Sequence, residues 1–537
     1  MKIIYDQSTL RVVAMLDDAT ELEDEHVLLK TMFPKEHAKL ASWAVSKPIQ
    51  KSPVHLTVGL DDAGIPETLY SKGKPIYKCD KKDKEKIEKK RLSEKRKELG
   101  KAMSRSFLRS MGPEVIRLWT SSRHTQPQIA TSLSNLDYFW EEPIRIVSWW
   151  GPFTDAGGYA NMNREIVFRL HNHHIIPKVE VCPTAPQVSP HAQYKISKYA
   201  AFDLGRFRRY PKIWAFTPLP HAPHSGKNIF FTMMETETIH PEFVRLCNAH
   251  SDEVWVPSKH NKRAFQNSGV TKPIYVFPLG IDETLYEQCE NADLGVIGPE
   301  RTFVDLLGKP VCEGINKFRF LSLFGWSYRK GPDVLIQSFI EQFDRRDDVT
   351  LIIVSRHSGS PAQEHIETIK NDAMRYAGAI RKSNLPQVIL YPHVIPEQEM
   401  PSIMRMGHVF IHLSRGEGFS LPQIEAAACG LPVISCNNTG MSEYLTDDNA
   451  LLVKTDETEV CSPEMHWITA YYQGQQFPKL GRAQIEQSKK HMEFAINNYP
   501  ELLAKGKSLR ESVYRDYTWS KATERVAKRI KEISEPV

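Results

Sequence analysis

The chain has no run of 18 or more apolar residues, which argues against a hydrophobic helix of bilayer length. Its eight cysteines (Cys79, Cys182, Cys247, Cys289, Cys312, Cys429, Cys436, Cys461) include no CxxC pair. A zinc site or disulfide framework is therefore not expected, and a reduced chain with buried thiols is. The first residues, MKIIYDQSTLRVVAMLDD, lack the apolar core and small-residue cleavage site of a secretory signal. Together these absences predict a cytoplasmic location, with peripheral membrane contact as the alternative. No Asp-x-Asp pair occurs, so a metal site of that spacing is not expected. Asp344, Asp347 and Asp348 cluster without that spacing and read as a helix-end loop.

Charge of one sign is also scarce outside one stretch. Lys78 to Lys101 holds twelve Lys/Arg and six Asp/Glu, a local +6 against +5 for the whole chain, so the remainder is close to −1. No aromatic residue interrupts that stretch, which weakens a stacking platform for single strands. A solvated helix with i,i+4 pairs is the default there, and contact with nucleic acid or an anionic membrane is the sharper alternative.

At 537 residues, with 41% hydrophobic and 25% charged content, the chain is an ordinary globular sequence of two or three domains. Residues 1–76 alternate short strand-like pieces with turns at Gln7-Ser8-Thr9 and Asp61 to Gly64, a small β-rich module. Residues 77–142 read as a charged helical linker. From Pro143 the pattern becomes strand, glycine turn, helix, strand: IRIVSWW, a turn through Gly157-Gly158, a helix with Ile166, Val167, Leu170 and His174 on one face, then IIPKVEVCP. That opens a Rossmann-like domain. A second such pattern starts near Lys317.

The richest chemistry lies in Ser414 to Ile434, SRGEGFSLPQIEAAACGLPVI. An apolar strand, VFIHL, precedes it. A helix over Pro422 to Cys429 is expected, with Pro in the first turn and Gly430 past the end. The amides of Gly418, Phe419, Ser420 and Leu421 fall where that helix begins, and free N–H groups there favour an anion such as phosphate. Gly416 and Gly418 permit close approach of a ligand. Glu425, one turn into the helix, can accept from vicinal ribose hydroxyls, and Glu417 from a second sugar. The alternative is an ordinary strand-turn-helix with a capping acid.

The spacing Glu417-x7-Glu425 within EGFSLPQIEAAACGLPV resembles the signature of retaining glycosyltransferases of the GT-B fold, family 4. The resemblance covers residues 143–535 and implies an α/β chain of GT-B architecture. Two Rossmann-like domains would face a central cleft: an acceptor domain over 143–305 and a nucleotide-sugar donor domain over 306–514. A terminal helix over 515–535 would pack back on the first. In such enzymes the second Glu holds the ribose and the first contacts the transferred sugar, roles carried here to Glu425 and Glu417. Lys330, before Gly331, matches the family's diphosphate-binding Lys. Trp326 stands where an Arg is usual, and Arg329 is the candidate replacement. The resemblance also sets Gly157 and Gly158 against the donor diphosphate, and Tyr391 to Val394 toward the nucleobase. His221 becomes the candidate histidine touching the donor sugar, with a surface loop as its alternative. His224 and Glu235 become candidate acceptor contacts; around Glu235, capping of the next helix by Thr236 to Thr238 is the alternative.

The expected activity is transfer of a hexose, with retention and without metal, from a nucleotide-diphosphate sugar of the UDP-glucose or GDP-mannose type. The hydroxyl acceptor would be a glycan or glycolipid. No cofactor beyond that donor substrate is implied. The alternatives are a macromolecular acceptor such as modified DNA or protein, a phosphorylase or sugar-phosphate synthase of the same fold, and a silent nucleotide-sugar-binding subunit.

Overall fold

A computed structural model of the chain describes strand residues 2–6, 11–15, 55–60, 66–71 and 74–78. It also describes residues 144–535 except 183–187, 189, 203, 205–208, 222–225, 288–302, 306–309, 312–314, 357–361, 379–383, 394, 462–471 and 473. The chain forms two compact units, Met1–Ile144 and Arg145–Pro536.

In the first unit, β1 (Lys2–Asp6), β2 (Arg11–Met15), β3 (His55–Leu60), β4 (Pro66–Ser71) and β5 (Lys74–Lys78) pair in sequence order, each antiparallel to the next. The fifth strand was not expected. Of the expected charged linker over 77–142, only Tyr77 and Lys78 lie among the described residues, and both are strand.

The second unit is α/β with two parallel sheets. One holds β6 (Arg145–Gly151), β7 (Ile175–Val181), β8 (Lys212–Trp214), β9 (Asn228–Phe231), β10 (Glu253–Val256) and β11 (Ile274–Val276), in the order β11-β10-β9-β8-β6-β7. All its pairings are parallel. The other holds β12 (Phe303–Asp305), β13 (Pro310–Val311), β14 (Phe318–Gly325), β15 (Val349–Arg356), β16 (Gln387–Tyr391), β17 (Val409–His412), β18 (Val433–Cys436) and β19 (Leu451–Val453). Its order is β13-β12-β16-β15-β14-β17-β18-β19, parallel except where β12 pairs. Strands covered on both faces carry apolar residues without alternation. Every residue of β9, β10, β17 and β18 is buried accordingly.

Each sheet reverses its winding direction once: between β6 and β8 in the first, between β14 and β17 in the second. Such switch points open a crevice at the carboxyl ends of the two strands. After β6 the chain enters helix α1 (Gly158–Arg169), with Gly157 as its N-cap. His174, expected on that helix, lies beyond it in a left-handed turn at φ 61°. After β14 the chain passes through a 3-10 turn, Tyr328–Lys330, into α2 (Pro332–Gln342). Gly331 joins the two at φ 68°, and a Cβ there would lie 1.8 Å from the Leu413 carbonyl oxygen, so only glycine fits. After β17 the loop leads into α3 (Leu421–Ala428), with Gly430 past its end at φ 77°.

The halves share one core, which runs from Val147 and Trp149 through Phe320 and Ile411 to Trp519 and Ile530. The last helix, α4 (Trp519–Ile533), packs on α1. Its Arg529 donates to buried Glu253 of β10 at 2.6 and 3.1 Å. Among the described residues no helix is long and apolar enough to cross a membrane.

Candidate active site

The second switch point gathers the charge. Lys330 Nζ donates to both carboxylate oxygens of Glu417, at 2.6 Å each. His412, at the end of β17, lies 2.9 Å from the same carboxylate through Nε2. Arg329 Nη1 donates to the Gly416 carbonyl and stands 3.6 Å from Glu417. The two loops are also joined through the backbone, Arg415 N to Arg329 O at 2.8 Å. Burial alone would raise the Glu417 carboxyl; Lys330, the His412 hydrogen bond and Arg329 outweigh it and hold the group well below the carboxylate range. Burial, with Arg329 alongside, pulls the Lys330 amine down while Glu417 opposes. The His412 imidazole is likewise pushed down by burial.

Arg415 is a support of this cluster. It is fully buried, forks onto both oxygens of Asp333 at 2.9 and 2.8 Å, reaches Glu459 at 3.0 Å and lies over the Tyr328 ring. It thereby ties the loop after β17 to the start of α2.

The entry to α3 is strained. Ser420, its N-cap, sits at φ 72° and ψ 77°, and its buried Oγ has no hydrogen-bond partner. A non-glycine residue there costs of order 1–3 kcal/mol and persists where surrounding contacts over-determine it. Those contacts are visible: the Tyr444 hydroxyl donates to the carbonyls of Phe419 and Ser420, at 2.9 and 3.1 Å, and the buried Phe419 ring packs on Tyr444 and Tyr517. The first amides of α3 have no acceptor within the helix. Glu425 follows on the same helix, half-buried. Burial, with Glu397 nearby, pushes its carboxyl up to about 8, against a hydrogen bond from Tyr286. Glu165, on α1, is raised to about 7 by burial, with Arg169 opposing and Glu397 and Asp282 adding to the rise.

The first half closes on this loop. A Cβ on Gly416 would lie 2.1 Å from the Glu235 carbonyl oxygen, and one on Gly418 would lie 2.7 Å from the Met233 side chain. The close approach expected of a ligand at Gly416 and Gly418 is thus taken by residues 233–235. The Gly418 carbonyl accepts from Asn261 and Ser258, at 3.1 and 3.3 Å. Glu235 faces the cluster: one carboxylate oxygen is 3.4 Å from Arg329, and the other accepts from the Tyr472 hydroxyl at 2.6 Å. The cap of the following helix is His240, whose ring accepts from Glu242 N, so Thr236 to Thr238 do not cap it. Next to Met233 stands Tyr159, whose hydroxyl accepts from the Met233 amide at 2.9 Å. It follows Gly158, where an added Cβ would meet open space, while Gly157 is held by Asp155.

His221 is not brought to this cluster. Its ring stacks on Trp214 at 4.0 Å and lies near Phe230 and His250, and its Nδ1 meets the Leu219 carbonyl. His224 and Val394 lie outside the described residues, and Tyr391 packs on Phe303 and His393. Trp326 is buried, donating to Asp372 at 3.0 Å. Asp344 pairs with Arg346, and Asp348 with Lys317.

Sequence reasoning missed His412, Arg415 and Tyr472. A polar residue inside the otherwise apolar VFIHL was a signal for His412. Arg415 stood in the glycine-rich motif without a role. Nothing local marks Tyr472.

Residues 316–463 match the family model for glycosyl transferases, group 1. The chain is 27% identical over 133 residues to a phosphatidylinositol N-acetylglucosaminyltransferase subunit of Arabidopsis thaliana, covering 25% of this chain and 27% of that protein. It is 30% identical over 139 residues to the GDP-mannose-dependent alpha-(1-6)-phosphatidylinositol monomannoside mannosyltransferase of Mycolicibacterium smegmatis, covering 25% of this chain and 33% of that protein. The chain thus spans about a third or less of the length of these curated relatives. A crystal structure of Anabaena Alr3699/HepE with UDP and glucose superposes on 72% of this chain and 100% of its own, with 13% identity and a TM-score of 0.48.

Proposed function

We propose that the chain is a retaining glycosyltransferase that moves a hexose from a nucleotide-diphosphate sugar to a hydroxyl acceptor. One observation carries the reading. Half-buried Lys330 and buried Arg329 and Glu417 converge at the second switch point, against a helix entry whose N-cap, Ser420, is strained and whose hydroxyl is unpartnered. Two cations and the first amides of α3 suit a departing nucleoside diphosphate, where negative charge grows as the glycosidic bond breaks. Glu425 is the candidate ribose contact: a half-buried carboxyl can exchange hydrogen bonds with vicinal hydroxyls. Glu417, kept ionised and fixed by Lys330 and His412, is the candidate sugar contact. Residues 233–235 and the start of α1, with Gly157 and Gly158, form the opposing wall, from which the acceptor would enter. Glu235 is the acid of that wall nearest the cluster.

Retention of configuration rests on the Glu417-x7-Glu425 resemblance. A glycolipid acceptor is favoured by the names of the relatives, both of which refer to phosphatidylinositol or a derivative of it. UDP-glucose and GDP-mannose are the first donors to try.

The test is a panel of nucleotide-sugars offered to the full chain with phosphatidylinositol vesicles, following nucleotide release and the anomeric configuration of the product by NMR. The expected result is one preferred donor and a product with the donor's configuration. An inverted product would remove the retaining mechanism. Tight nucleotide binding with no turnover on any acceptor would move the chain to a role in nucleotide-sugar binding alone.

A further inference from the structure

A hairpin of the second half reaches across to the first. Its strands, β20 (Thr458–Val460) and β21 (Gln476–Pro478), pair antiparallel. The Phe477 ring is fully buried in a first-half cluster with Phe230, Met234 and Phe243. Glu237 N donates to the Gln476 carbonyl at 3.0 Å, and Thr238 Oγ1 donates to Gln475 at 2.7 Å. Between the strands the hairpin carries Tyr472, 6% exposed, whose hydroxyl donates to the Glu235 carboxylate.

The consequence falls on Arg329. Its guanidinium has two carboxylates within reach, Glu235 at 3.4 Å and Glu417 at 3.6 Å, yet neither forms the short two-pronged pair that Arg and carboxylate favour. Its Nε is buried without a hydrogen-bond partner. Arg415, in the loop after β17, shows the contrasting geometry, forked onto Asp333 at 2.9 and 2.8 Å. Arg329 is therefore left with donors to spare. The group that keeps Glu235 from taking them is Tyr472, which binds the carboxylate oxygen farther from Arg329 at 2.6 Å.

We infer that Glu235 is a built-in competitor of the nucleotide diphosphate for Arg329, and that Tyr472 is the positioning residue that holds this competitor back. The inference deepens the proposed glycosyltransferase reading and rests on it. Glu235 lowers the affinity of the spent nucleotide and so favours its release, while Tyr472 keeps the competition mild enough for the donor to bind.

The experiment is calorimetric titration of UDP and GDP into the full chain and into Glu235→Gln, Tyr472→Phe and the double variant, with each melting temperature measured. Removing the competing charge in Glu235→Gln should tighten binding of the preferred nucleotide by about tenfold, the size of one charge-assisted hydrogen bond. Tyr472→Phe should weaken it by roughly threefold, toward the low end of the net worth of one hydrogen bond, because the released carboxylate turns fully onto Arg329. The double variant should match Glu235→Gln, since Tyr472 acts only through Glu235. Weaker binding in Glu235→Gln would overturn the inference, whatever the other variants do. So would additive losses in the double variant that follow the melting temperatures, the mark of a merely structural hairpin. If the unaltered chain bound neither nucleotide, the glycosyltransferase reading itself would fail, a result distinct from unaltered affinity in Glu235→Gln, which overturns the inference alone.

Discussion

The two parallel sheets of the second unit reverse at equivalent points but dress those points differently. At the first, between β6 and β8, the polar side chains mostly hold backbone: Asn163 donates to the carbonyls of Pro152 and Ala215 and accepts from Trp149 Nε1, buried Arg164 donates to the carbonyls of Phe153 and Asp155, and the Tyr159 hydroxyl takes the Met233 amide. At the second, between β14 and β17, buried Arg329, Glu417 and His412 are gathered with half-buried Lys330. One topology thus supports both a wall and a charged floor. The charged groups are carried by the loops that leave β14 and β17, and burial there strengthens every interaction with an anion.

The sharpest way to break this asymmetry is Lys330→Ala. It leaves Glu417 buried with His412 and Arg329 as its remaining partners, so turnover should fall roughly 100-fold, the scale of losing one preorganised charge stabiliser. Chemical denaturation of the same variant should show a loss of about 3 kcal/mol, as when one member of a buried pair is removed. Next in size is Glu425→Ala. Affinity for the preferred nucleoside diphosphate should fall about tenfold, the worth of the hydrogen bonds a carboxyl exchanges with vicinal hydroxyls. Titration calorimetry measures that loss, and no comparable loss of stability should accompany it, because burial already disfavours the charged form.

A pH series sharpens the comparison further. Glu425 and Glu165 are raised in the folded chain to about 8 and about 7. Between the ordinary carboxyl range and those values the unfolded chain is ionised where the folded chain keeps the proton. Stability should therefore fall as pH rises from about 5 to 8, and Glu165→Gln should flatten the slope of denaturant midpoint against pH. Glu417 has the opposite sign: its contribution is present above the ordinary carboxyl range and is lost as pH falls through its depressed value. The smallest effect is expected from His221→Ala. Loss of the Trp214 stack should cost about 1 kcal/mol and leave nucleotide release unchanged, since none of its ring contacts belongs to the charged cluster.

Much of the second half was legible because its chemistry is local or follows from strand order. Glu417 and the start of α3 lie on one loop, and Lys330 reaches them because β14 and β17 are neighbours, as a Rossmann-like winding requires. Arg329, on the same turn, comes to 3.6 Å from Glu417. The first half was less legible. His221 was assigned from its position after a strand, but its ring stacks on Trp214 and lies against Phe230, contacts that no strand-end rule encodes. Gly416 and Gly418 were read as room for a ligand when the other half fills that room. Tyr472 depends on where a hairpin docks, a long-range contact that no short pattern encodes. The basic stretch from Lys78 to Lys101 lies, but for Lys78, outside the described residues.

The central claim is that the second switch point holds the diphosphate of a nucleotide-sugar. Hydrogen–deuterium exchange of the full chain, with and without saturating UDP or GDP, tests it most directly. The account predicts that nucleotide slows exchange at the amides of residues 326–331 and 416–425, and that Lys330→Ala abolishes the change. Nucleotide-dependent protection that leaves both loops untouched would contradict it.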